Sequence, residues 1–93
     1  MADSPEAQRR REQFGERLRR RRMAFGLMQV DLAKRAHVPQ AAISHLENGR
    51  YHAVNLTTLV HLAQALNTTT DFLLGLSDEA GEITERVLEH AVA

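Results

Sequence analysis

The chain has 93 residues, no cysteine and a formal net charge of zero, which allows one small domain and excludes a disulfide framework or a cysteine-based zinc site. One Tyr, three Phe and no Trp mean that any core has to be largely aliphatic. No run approaches the ~20 apolar residues that span a bilayer, and Met1-Ala2-Asp3-Ser4-Pro5 leads into arginines without the apolar stretch of a signal peptide, so the expectation is a soluble, cytoplasmic protein with no membrane partner.

The first eight or so residues are polar and contain Pro5, and residues 1–11 read as a flexible basic arm. A first helix is predicted from about Arg9 to Phe25, with Phe14, Leu18 and Phe25 on one stripe. Gly15 weakens that run by ~1 kcal/mol relative to Ala, and Gly26 ends it as a C-cap glycine. A second helix fits residues 29–36, with Val30, Leu32, Ala33 and Ala36 as its apolar side. Pro39 suits the first turn of a third helix over residues 39–48, which stops at Gly49. After a loop over residues 50–54, Asn55 is an N-cap for a fourth helix to Leu66, with Leu56, Leu59, Val60, Ala63 and Leu66 inward. A short fifth helix covers about Thr70 to Leu74 and ends at Gly75. β-Branched residues never alternate over a useful length, so no strand is expected and the fold class is all-α.

These elements place one domain over residues 12–76. From Ser77 the texture becomes linker-like, and residues 77–93 form a tail in which Ile83, Val87, Leu88, Ala91 and Val92 share one side of a short sixth helix. That stripe fits a dimer or partner contact and packing back onto the domain equally well.

The zero net charge conceals an asymmetry. Residues 1–50 carry eleven Lys and Arg against six Asp and Glu, whereas residues 51–93 carry Arg86 alone against six acids. Such polarity orients a molecule on an anionic surface with its basic half inward. Charge alone also fits an ordinary solvated helix, so the motifs decide.

Two short helices separated by two or three residues form a tight αα unit, whose second helix enters the major groove in DNA-binding versions. The third helix has two distinct faces. Ala42, Ile43, Leu46 and Glu47 fall on one side, and Gln40, Ala41, Ser44, His45 and Asn48 on the other. The second set is small, polar and uncharged, where a face selected for solubility alone would carry Lys and Glu. Amide, hydroxyl, imidazole and methyl groups are what base edges require: Gln pairs with adenine N6 and N7, and Ala touches a thymine methyl.

Two charges fall on inward stripes. Arg22 lies four positions beyond Leu18 in the first helix, and Glu47 four beyond Ile43 in the third. Because a single buried charge is costly, the two are expected to form a salt bridge fastening the first helix to the end of the third.

The strings Phe14-Gly15-Glu16-Arg17-Leu18, Gly26-Leu27, Gln29 and Asp31-Leu32-Ala33 resemble the Cro/repressor (XRE-like) helix-turn-helix family of small bacterial or phage regulators. So do Ile43-Ser44, Leu46-Glu47-Asn48-Gly49-Arg50, Leu59, Ala63-Gln64-Ala65-Leu66 and Asp71-Phe72-Leu73-Leu74-Gly75, in the family's order and spacing. The resemblance implies a five-helix, lambda-repressor-like domain that binds double-stranded DNA as a homodimer on a roughly palindromic operator, associated with the nucleoid when bound. It implies base reading by Gln40, Ala41 and His45, with Ser44 as a helper, and phosphate contacts from Gln29, Asn48 and Arg50. From the arginine runs, Arg17 and Arg21 are added as phosphate contacts, while Arg22 turns inward. The sequence departs from the family at His37, where the turn often holds Gly, and at Ala41, a position often polar. Histidine tolerates positive φ, so the turn survives at some strain; at Ala41 one direct hydrogen bond is missing, and specificity leans more on His45, methyl contacts or DNA shape.

His37, His45, His52, His61 and His90 lack the close spacing of paired helical ligands, and no metal or cofactor is expected. No Gly-rich phosphate loop, nucleophile elbow or credible carboxylate pair points to an enzyme. The rival to a DNA-binding regulator is an antitoxin-type interaction module that holds a toxin through residues 77–93 and also binds its own promoter. A controller of a restriction-modification system is a special case of the first reading.

Overall fold

The computed structural model describes residues 4–50 and 54–81. Among them the chain forms five α-helices, α1 (Pro5–Ala24), α2 (Gln29–Ala36), α3 (Gln40–Glu47), α4 (Leu56–Ala65) and α5 (Thr70–Leu73), and no strand. Five of these agree with the elements expected from the sequence to within a residue or two at most ends. The expected sixth helix, with Ile83, Val87, Leu88 and Ala91, lies outside the described residues.

The start of α1 differs from expectation. Ser4 is its N-cap and accepts a hydrogen bond from the Ala7 amide at 3.0 Å, and Pro5 occupies the first helical position, where its missing N–H is not needed. Residues 5–11 are therefore the first turns of α1 and not a separate arm. Arg10 and Arg11 donate to the carbonyls of Leu74 and Gly49 at 3.3 and 3.2 Å, which ties those turns to the loops after α5 and α3.

Leu18, Leu32, Ile43, Leu62 and Leu73, one from each helix, are fully buried together with Leu66 at the end of α4. The inward face of α4 is rotated from the one expected: Leu62 and Ala65 point into the core beside Leu59, Ala63 and Leu66, while Leu56 and Val60 are exposed. Leu56 is the first residue of the helix, and Val60 lies one turn further along the same outer edge.

The joint between α2 and α3 depends on His37, which caps α2 at φ 57, in the left-handed region. The Val38 amide then reaches back to the Ala33 carbonyl at 3.0 Å, closing the helix end as glycine-capped helices do. His37→Gly is expected to raise stability by about 0.5–1 kcal/mol, because a β-carbon is strained at this φ; the measure is the shift in urea midpoint. Pro39 does not enter α3 but caps it in extended backbone, with its carbonyl accepting from Ala42.

A candidate nucleic-acid interface on helix three

α3 is anchored on one side and open on the other. Ala42, Ile43 and Leu46 are buried, whereas Gln40, Ala41, His45 and Asn48 are exposed and Ser44 is half-buried. The two faces are those read from the sequence. The outward face carries no Lys, Arg, Asp or Glu.

The anchor is electrostatic as well as apolar. Arg22 Nε meets Glu47 Oε2 at 2.6 Å and Nη2 meets Oε1 at 3.0 Å, a two-pronged pair, while Nη1 donates to the Leu27 carbonyl at 2.6 Å. The side chains are 12% and 3% exposed, so the pair is shielded from water and from screening ions. Gln29, the first residue of α2, donates its amide to Glu47 Oε1 at 3.2 Å. One carboxylate thus ties α1, α2 and the end of α3 together, and this convergence of three donors is a contact that sequence reasoning missed for Gln29.

Gly15 was also underestimated. A β-carbon there would lie 2.7 Å from the Glu47 carbonyl oxygen and closer still to that of Leu46. Its role is close approach: the backbone of α1 meets the C-terminal carbonyls of α3 directly. The available signal was its position on the same stripe as Leu18 and Arg22, at i+3 and i+7.

Two of the arginines expected to contact phosphate, Arg17 and Arg21, are engaged within the fold. Arg17 donates through Nη1 to the carbonyls of Phe72 and Ser77 at 3.1 and 2.7 Å, pairs with Asp78 at 2.9 Å, and lies over the Phe72 ring at 4.8 Å. Arg21 is 5% exposed, donates to the carbonyls of Leu66, Asn67 and Gly81 at 3.0, 3.1 and 2.8 Å, and stacks over Phe25. Burial lowers its pKa from the ordinary arginine value, and it stays charged because that value is so high. Arg21 satisfies the Leu66 and Asn67 carbonyls at the end of α4, and Arg17 adds a second donor to the Phe72 carbonyl, which already accepts from the Gly75 amide. Both guanidinium groups also fasten residues 77–81 to α1, so this part of the expected tail belongs to the folded domain.

The remaining candidates sit around the open face. Asn48 folds back onto the Ser44 carbonyl at 2.9 Å, and the exposed Arg50 follows at the end of α3, its amide bonded to the His45 carbonyl. At the start of α2 the Asp31 carboxylate accepts from the Met28 amide at 2.9 Å, fixing the helix N-terminus beside Gln29. A helix with a polar outward face, set across a second helix by a three-residue turn and fastened to a bundle behind it, defines a helix-turn-helix unit of the kind that reads the major groove.

Comparison with known proteins agrees. Residues 13–73 match the family model described as a helix-turn-helix domain, and the chain belongs to that family of DNA-binding regulators. Over 77 residues it is 36% identical to a Mycobacterium tuberculosis (strain ATCC 25618 / H37Rv) protein named "Putative antitoxin HigA2", a span of 83% of this chain and 76% of that protein. It is also similar to the crystal structure of the restriction-modification controller protein C.AhdI from Aeromonas hydrophila, with a TM-score of 0.64 and 33% identity over 68% of this chain and 94% of that one. Among the described residues no helix is long and apolar enough to cross a membrane.

Proposed function

We propose that the protein is a non-enzymatic, sequence-specific transcriptional regulator that binds double-stranded DNA as a homodimer on a roughly palindromic operator, in the cytoplasm at the nucleoid. The observation that carries this reading is the outward face of α3, on which Gln40, Ala41, Ser44 and His45 are presented by a helix whose other side is fixed to the core. Gln40 and His45 are the base-reading groups, Ala41 offers a methyl, and Ser44 supports them. Asn48 and Arg50 hold the phosphate backbone beyond the recognition helix. Gln29 has a second amide hydrogen besides the one given to Glu47, and together with the N-terminus of α2 it takes a phosphate on the other flank.

Gln40→Ala or His45→Ala is expected to relax preference at one operator position by about 1–3 kcal/mol, whereas Arg50→Ala weakens all DNA alike and reduces the salt slope by about 1. Fluorescence anisotropy on an operator selected from random duplexes separates the two outcomes. If all three variants bind the selected operator as the parent does, α3 is not the reading helix.

A second reading is favoured by the antitoxin-named relative: an interaction module that neutralises a toxin and also binds its own promoter. Residues 77–81 are held against α1 by Arg17 and Arg21, which leaves residues 82–93 as the partner segment. A stable heteromeric complex recovered from the native source supports this reading, and a homodimer alone opposes it.

A further inference from the structure

The fold brings together two histidines that the linear spacing kept apart. His37 caps α2, and His61 projects from the middle of α4. Their ring centroids are 5.9 Å apart with the planes at 72°. His61 Nδ1 lies 3.2 Å from the Ala36 carbonyl oxygen, at the end of α2. A carbonyl only accepts, so in the neutral ring Nδ1 carries the proton and Nε2 keeps its lone pair. This is the tautomer of a metal-ligating imidazole, whose other nitrogen is held by a backbone carbonyl or carboxylate.

The spacing of the rings fits the same chemistry. With metal–nitrogen bonds of ~2.1 Å, two imidazoles on one ion place their centroids ~5–6 Å apart, and the pair already stands at that separation. His37 is exposed and His61 half-buried, so an ion reaches them from solvent and water completes its coordination. Among the described residues no group of three or more His, Cys, Asp or Glu is placed to enclose a metal. The donors are therefore two neutral imidazoles, which suit zinc, nickel or copper(II) and not the oxygen-seeking magnesium or calcium.

We propose that His37 and His61 form an open two-histidine site for a divalent transition-metal ion. Such an ion clips the left-handed cap of α2 to α4, across the joint that sets the direction of α3. It binds the folded chain, where the two rings are held together, more tightly than the unfolded one, so it stabilises the domain by mass action.

The test is calorimetric titration of the full chain with zinc chloride, alongside His37→Asn, His61→Gln and the control His90→Asn. Asn tolerates positive φ, so His37→Asn removes the ligand and keeps the backbone, with circular dichroism confirming the fold. The expected result is one ion per chain, affinity reduced at least about tenfold in His37→Asn and His61→Gln, and no change in His90→Asn. In NMR spectra of the parent chain, the ring-proton resonances of His37 and His61 shift together on the same zinc titration. Absence of binding, equal binding by the parent and both ligand variants, or loss of binding in His90→Asn overturns the site.

Discussion

Replacing Glu47 with alanine is expected to lower the melting temperature by at least about 8 °C. The change removes the partner of a guanidinium that is 12% exposed, and truncating one member of a buried pair costs about 3–5 kcal/mol because the other charge is stranded. Arg22 keeps its bond to the Leu27 carbonyl and some contact with water, which brings the loss down to about 2–4 kcal/mol; in a domain of this size each kcal/mol is worth about 4–8 °C. Thermal melting followed by circular dichroism gives the value. The double variant Arg22→Met with Glu47→Leu is expected to recover much of the stability, since an apolar pair of similar volume needs no desolvation of charge. A parental melt for Glu47→Ala, or strictly additive single changes, would show that the pair does not hold α3.

Gly15→Ala should destabilise the domain by about 2–3 kcal/mol, as overpacking does. The sign is opposite to that of an ordinary helix position, where the change gains about 1 kcal/mol. The new methyl would press on the Leu46 and Glu47 carbonyls, which are backbone and cannot rotate away. α1 and the end of α3 have to separate, and the bidentate geometry of Arg22 on Glu47 degrades with them. Urea denaturation measures the loss, and operator affinity is expected to fall in the refolded variant. A midpoint equal to or above the parent's would mean that the approach is looser than the structure has it.

Both effects concern the same joint, and the sequence exposed them unequally. The Arg22–Glu47 pair was legible because two charges interrupted apolar stripes, and the penalty for burying each alone makes pairing the economical solution. Positive φ at His37 was legible from the resemblance, because glycine often fills that turn in the family. Gly15 was not, because periodicity marks a face without saying how near another backbone comes. The bonds that Arg17 and Arg21 make within the fold were hidden for a related reason. Their partners are carbonyls of Leu66, Asn67, Phe72, Ser77 and Gly81, which every residue possesses and no side-chain pattern announces. The start of α1 was legible in hindsight, since Ser4-Pro5-Glu6 combines an N-cap, a first-turn proline and an acidic residue. The outward face of α3 was read correctly because it depends only on helical spacing. The pairing of His37 with His61 needed the placement of α2 against α4.

The two faces of α3 have a consequence for how such a protein changes over time. The residues that secure the helix, Ala42, Ile43, Leu46 and Glu47, share no position with Gln40, Ala41, Ser44 and His45 on the outside. Substitutions at the exposed Gln40, Ala41 and His45 are therefore expected to stay within about 0.5 kcal/mol of the parent in stability while altering what the surface recognises. A duplicated copy can acquire a new target by drift at these three positions without passing through an unfolded intermediate. The same separation makes the domain a chassis on which a reading surface can be exchanged by design.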